Sequence, residues 1–158
     1  MDDDNLEFPE VSVRNLHPRD LQTVVAIDAQ VTGRRREEFH QLKLKQALAD
    51  SGVFVSLGAE LDQQLVGFLL ARVYYGEFGM LEKVAVLDAI AVKPLAQRRR
   101  VGAALIGQLR KNLLALGIRT LRTEVAWDNF PMIRFLHRER FAPAARLCLD
   151  LDLERTRE

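Results

Sequence analysis

D-A-I-A-V-K-P-L-A-Q-R-R-R-V-G-A-A-L, residues 88–105, passes from a strand through a short basic loop into the start of a helix. The apolar run ending at Val92 is closed by Pro94, which cannot donate to a strand ladder. Val101, Ala104, Leu105, Leu109, Leu113 and Leu116 then recur at helical spacing until Gly117. A strand, a loop and a helix N-terminus in this order make an anion site. The first N–H groups of such a helix lack internal partners, and its dipole favours negative charge. Gly102 keeps a side chain out of a phosphate's way, Ala104 is the next smallest choice, and Arg98, Arg99 and Arg100 offer charge-assisted hydrogen bonds. The same residues also read as a solvated helix start, and the local pattern alone leaves both open. No Gly-Lys-Ser/Thr follows and the glycine spacing is not that of a dinucleotide fingerprint, so nucleoside triphosphates and NAD fit poorly.

Upstream, Val11 and Val13 alternate with Ser12 and Arg14 in a first strand, and His17-Pro18 opens a helix carrying Leu21, Val24, Val25 and Ala29. Thr32 is placed to cap a second helix whose apolar side holds Phe39, Leu42, Leu44, Ala47 and Leu48, ended by Asp50-Ser51-Gly52. Strands are expected at 53–57 and 65–75, with a turn at 58–63, and then at 84–92. Downstream come a strand at 121–126, a short helix at 131–140 and a last strand in which Leu147, Leu149, Leu151 and Leu153 alternate with Cys148, Asp150 and Asp152. The order β-α-α-β-β-β-α-β-α-β predicts an α/β protein with one mixed sheet flanked by helices. Residues 1–9 read as a flexible polar lead and 10–158 as one domain.

The 158 residues, 48% hydrophobic and 28% charged, suit one globular domain. Lys plus Arg number 23 against 22 Asp plus Glu, a net charge of +1, so there is no global pull toward nucleic acid or acidic membranes. A nucleic-acid role for Arg34, Arg35, Arg36 and Arg98–Arg100 also lacks interleaved aromatic residues. One cysteine and three histidines exclude an internal disulfide and a cysteine-rich metal site, and fit a reducing cytoplasm. Asp2, Asp3, Asp4 and Glu7 are the reverse of a signal peptide's basic start, and no apolar run approaches the roughly 20 residues of a membrane span.

Arg99-Arg100-Val101-Gly102-Ala103-Ala104 resembles the Gln/Arg-x-x-Gly-x-Gly/Ala loop of the GNAT superfamily of N-acetyltransferases. Ile90-Ala91-Val92-x-Pro94 before it looks like that family's fourth strand. Thr123-Glu124-Val125, Asn129, Phe135 and Phe141 resemble its fifth strand and following helix, nearest to the ribosomal-protein N-terminal acetyltransferase branch. The resemblance covers roughly residues 10–153. It implies a split between the fourth and fifth strands that holds the pantetheine arm of acetyl-coenzyme A, the co-substrate. Backbone groups of Ile90, Ala91 and Val92 would bind that arm, residues Arg98 to Ala104 the pyrophosphate, and Asn129 the inner arm. The acceptor would be an amine on a small molecule, a peptide or a protein, with no metal, nucleic acid or membrane required. A homodimer is among the states the resemblance allows.

Direct transfer needs a neutral amine, whereas an alkyl ammonium has a pKa of about 10.4, so a group must take the proton. By resemblance Glu124 stands at the general-base position of one branch and Asp88 at that of the histone acetyltransferase branch. Read without the family, Glu124 is an outward strand residue and Asp88 a residue in a bulge. The tyrosine that many members place seven residues after the Asn is Leu136 here, with His137 beside it. That departure supports an alternative function, a weak acetyl-coenzyme A-binding module without transfer.

Overall fold

The computed structural model describes residues 10–48, 54–75, 77–79 and 81–155. Its strands are β1 (Ser12–Asn15), β2 (Phe54–Leu61), β3 (Gln64–Tyr74), β4 (Val84–Val92) and β5 (Leu121–Thr123), and its helices α1 (Leu21–Thr32), α2 (Glu37–Leu48), α3 (Val101–Ala115) and α4 (Phe130–Arg138). The chain forms two compact units, Met1–Glu124 and Val125–Glu158. The first holds the whole sheet, in the order β1-β2-β3-β4-β5; the first three pairings are antiparallel and β4 with β5 is parallel. The mixed sheet flanked by helices that the sequence predicts is therefore present.

β3 reads Q-L-V-G-F-L-L-A-R-V-Y and is buried along nearly its whole length, as a central strand covered on both faces must be. Phe68 and Leu70 join a cluster with Leu16, Val24, Ile27, Leu44, Leu65 and Ala91. The neighbouring Gly67 instead meets Val101 of α3, where an added Cβ would lie 3.0 Å from a Val101 methyl. Successive strand residues point to opposite faces, so α1 and α3 cover opposite sides of the sheet. α3 buries Val101, Leu105, Ile106, Leu109 and Leu113, the stripe expected of a helix on a sheet.

Some details differ from the sequence reading. Gly58 lies inside β2 and starts no turn: a Cβ there would meet Leu65 and Leu16 side chains at 2.6 and 2.9 Å, so the glycine makes room for packing. The turn is Asp62-Gln63, both left-handed at φ 48° and 64°, as a two-residue hairpin of matching twist requires. Thr32 ends α1 instead of capping α2, its hydroxyl donating to the Asp28 carbonyl at 2.8 Å, and Gly33 follows at φ 73°. On α2, Leu42 is exposed while His40 is fully buried. The expected helix end at Asp50-Ser51-Gly52 and residues 1–9 lie outside the described residues.

In the second unit, Asn129 caps α4, its side-chain oxygen accepting from the Met132 N–H at 3.3 Å, and Arg140 closes the helix at φ 70°. Leu136 is buried and His137 exposed. The predicted last strand is absent among the described residues. Leu147, Leu149, Leu151 and Leu153 have the right alternation, but alternation alone makes no strand without a partner strand to pair with.

Candidate active site

β4 and β5 are paired only from Ala85–Leu121 to Leu87–Thr123. The Ala85 N–H donates to the Thr120 carbonyl at 3.0 Å, and the last tie is the Thr123 hydroxyl donating to the Leu87 carbonyl at 2.9 Å. Beyond it β4 runs on through Val92 with β3 as its partner on one side. The strands part because β4 carries a bulge at Asp88: β3 pairs Leu70 with Ala89 but Ala71 with Leu87, leaving Asp88 as the extra residue. An extra residue reverses the alternation of the backbone. Ala85 and Leu87 face β5, whereas past the bulge the Lys93 N–H donates to Val66 of β3 at 2.7 Å. By alternation Ala91 also faces β3, and the N–H and C=O groups of Ile90 and Val92 face the open split. The Val92 carbonyl accepts from the Gln97 side chain at 3.2 Å on that side.

The loop after β4 supplies the other half of the site. Arg98 and Arg100 are left-handed, at φ 70° and 61°, while Arg99 between them is not. Such alternation turns successive N–H groups toward one concavity, which suits an anion. The first bond inside α3 runs from Ala104 to Arg100 at 3.0 Å, so the N–H groups of Val101, Gly102 and Ala103 have no acceptor within the helix. Arg98, Arg99 and Arg100 are exposed. Gly67, paired with Val92 and in contact with Val101, sets how close this helix start comes to the strand end. An isolated glycine in an apolar strand signals such a close approach, and that cue in β3 is the one sequence reading passed over.

The two carboxylates singled out in the sequence flank the split differently. Asp88, with its side chain 11% exposed, lies with Oδ2 2.7 Å from Arg72 Nε and 3.3 Å from Lys43 Nζ. The Arg72 N–H points off the line to that oxygen, so this contact is an ion pair without hydrogen-bond alignment. Glu124 follows the last residue of β5 directly and is exposed. The strand expected at 121–126 thus ends at Thr123, where its pairing with β4 ends. Asn129 belongs to the second unit, where its side chain is the α4 cap.

Behind Asp88, α2 is pinned by a second buried carboxylate. Asp28 accepts two hydrogen bonds from Arg36 at 2.8 and 2.6 Å, and His40 Nε2 lies 2.9 Å from it without hydrogen-bond alignment. Burial works to raise the Asp28 pKa, but Arg36 and His40 outweigh it and hold the group below its ordinary value. His40 also packs edge-on to Phe39 and Phe68. It is a core residue, fully buried.

The family model for the acetyltransferase (GNAT) family matches residues 13–140, from β1 through the end of α4. The chain belongs to this acetyltransferase family. Compared by sequence with curated proteins, it finds no significant match. Among solved structures it is similar to an aminoglycoside 6'-N-acetyltransferase from Acinetobacter baumannii, at 18% identity and TM-score 0.78 over 90% of this chain and 98% of the other. It is likewise similar to the ribosomal-protein-alanine N-acetyltransferase of Brucella melitensis, at 19% identity and TM-score 0.72 over 91% and 99%. A further aminoglycoside N-acetyltransferase, in complex with CoA, matches at 17% identity and TM-score 0.78 over 94% and 98%. Identities this low establish the fold. With the family shown, acetyl-coenzyme A is the co-substrate, and a strand with outward backbone groups leading to a cationic loop and a helix N-terminus suits its arm and pyrophosphate. Among the described residues, no group of side chains could hold a metal ion and no helix is long and apolar enough to cross a membrane.

Proposed function

We propose that this chain transfers acetyl from acetyl-coenzyme A to an amine, with Glu124 as the general base. Ile90 and Val92 would hold the pantetheine arm by their backbone groups, and the loop and helix start from Arg98 to Ala104 would hold the pyrophosphate. Bound acetyl-coenzyme A supplies an activated thioester. The observation that carries the reading is the split itself: the bulge at Asp88 turns Ile90 and Val92 outward just where β5 leaves β4. A backbone N–H of β4 facing that split is suited to stabilise an oxyanion, because a fixed donor needs no reorganisation as charge develops. Glu124, exposed at the end of the other arm, is free to take a proton from an ammonium and pass it to water. Asp88, tied to Lys43 and Arg72, serves as a positioning residue that holds the bulge and α2 together.

The test is release of free coenzyme A thiol on incubation with acetyl-coenzyme A and a panel of amines, peptides and aminoglycosides. Acceptor-dependent thiol release is expected, and Glu124→Gln should remove most of it while acetyl-coenzyme A still raises the melting temperature. Thermal stabilisation with no thiol release for any acceptor would replace this reading with the binding module. That second reading draws on Leu136, buried where many family members have a tyrosine.

A further inference from the structure

We infer that the acceptor is a small amino acid, whose carboxylate is held between Arg72 and Arg122 while its amine meets Glu124; this deepens the transferase reading above and rests on it. The sheet register puts the two arginines in one row. Arg72 of β3 pairs with Val86 of β4, and Val86 pairs with Arg122 of β5. Paired residues point to the same side of a sheet, so the two guanidinium groups rise on either side of Val86, from Cα atoms about 9–10 Å apart. That side faces α2, since Arg72 and Lys43 both reach Asp88 there. The two faces of β4 before the bulge differ in cover. Ala85 and Leu87 are buried on one, whereas Val84 and Val86 on the other are half-buried, as are Arg72, Tyr74 and Arg122. A ligand can therefore reach the row of arginines over an apolar floor.

Charge says what the ligand carries. Lys43 and Arg72 share one oxygen of Asp88, two cations against one anion, and Arg122 makes no ion pair among the described residues. The surplus is partly withdrawn from water, with the Arg72 side chain 31% exposed and that of Lys43 15%. A partly desolvated cation attracts an anion more strongly than one in bulk water, and the guanidinium fork matches the two oxygens of a carboxylate. Tyr74 steadies Arg72, whose guanidinium carbon lies 4.8 Å from the centre of its ring. Glu124 stands two residues beyond Arg122, about 6–7 Å along an extended chain. An ammonium at Glu124 and a carboxylate at Arg122 are then a few bonds apart, the spacing within an amino acid. Glu124 takes one proton from the ammonium, the freed amine bonds to the acetyl carbon as the C–S bond breaks, and the second amine proton leaves with the coenzyme A thiol. The arginines orient the acceptor and take no part in the bond changes. An acceptor that bears several positive charges is disfavoured by the same surplus.

Steady-state thiol release by the full chain tests this, with each of a panel of α-amino acids compared with its own carboxamide, and with polyamines and aminoglycosides alongside. The amino acid should be favoured in kcat/KM by at least about tenfold over its carboxamide, the scale of one hydrogen bond to a charged group. Arg122→Gln should bring that ratio close to one by raising KM for the amino acid alone. Arg122→Glu should invert it, a reversal that a merely structural arginine would not give. In both variants acetyl-coenzyme A should still raise the melting temperature, which separates lost recognition from lost folding. An unaltered chain that prefers carboxamides or polycationic amines, or an amino-acid preference that survives Arg122→Gln, would overturn the proposal and leave the transferase reading standing. Absence of thiol release with every acceptor would overturn the transferase reading and this one with it.

Discussion

Asp88 and Glu124 stand on the two arms of one split, yet their surroundings differ. Asp88 sits at the bulge, nearly covered, with one oxygen engaged by both Arg72 and Lys43; Glu124 leaves the end of β5 exposed. The anchored side extends into the molecule through α2, where Arg36 and His40 hold Asp28 much as Lys43 holds Asp88. A carboxylate spent on cations fixes geometry, and one left in water can exchange protons. Sequence position alone leaves both as candidates for the base, with Glu124 the stronger, and their neighbours separate them further.

The sharpest way to break this contrast is through the rate. Glu124→Gln is expected to lower kcat by about 10²-fold or more, the scale of a lost general base, with acetyl-coenzyme A affinity nearly unchanged. Asp88→Asn should cost less in kcat. The reverse ranking in steady-state kinetics would move the base to the bulge and refute the division.

The next effect concerns the cofactor side of the split. Gly67→Val places atoms where Val101, the Ala91 carbonyl and Val92 already sit at 3.0–3.3 Å. It should push the start of α3 from the strand end and destabilise the fold by about 1–3 kcal/mol, the usual cost of overpacking. Calorimetry should then show acetyl-coenzyme A binding weakened by at least about tenfold, near 1.4 kcal/mol. Unchanged affinity would mean that the loop is positioned without this contact.

Breaking the anchor should show in stability more than in chemistry. Asp88→Asn leaves Arg72 and Lys43, both partly covered, without their carboxylate, and should lower stability by about 1–3 kcal/mol in denaturant titration. Arg72→Met combined with Asp88→Asn should cost less than the sum of the two single changes, because the pair interacts directly. Strict additivity would show that the pair contributes nothing.

The smallest effect is in acid. Asp28 and Asp20 both have folded pKa values below their ordinary value of 3.8; at Asp20 burial opposes the shift and Arg14 with the His17 N–H outweighs it. A depressed carboxylate contributes stability that is fully present above the unfolded pKa and is lost as pH falls through the folded one. The melting temperature should therefore begin to fall below about pH 4, and Asp28→Asn should make that fall shallower. An acid limb unaffected by that substitution would remove the Asp28 cluster from the account.

Much of this was legible in the chain itself. Local chemistry placed β4 at residues 84–92 and α3 within one residue at each end, because apolar period, Pro94 and Gly117 act on their own neighbours. The basic loop before Gly102 was visible for the same reason. What the sequence could not state was which side of each residue faces what. That depended on the bulge at Asp88, which reverses the outward residues of β4, and on Arg72 and Lys43, which reach Asp88 from β3 and α2, elements 16 and 45 residues away along the chain. It also left open whether an alternating segment becomes a strand. Residues 147–153 have the pattern of one and form no strand among the described residues, because alternation is a property of sequence and pairing is decided by the tertiary structure.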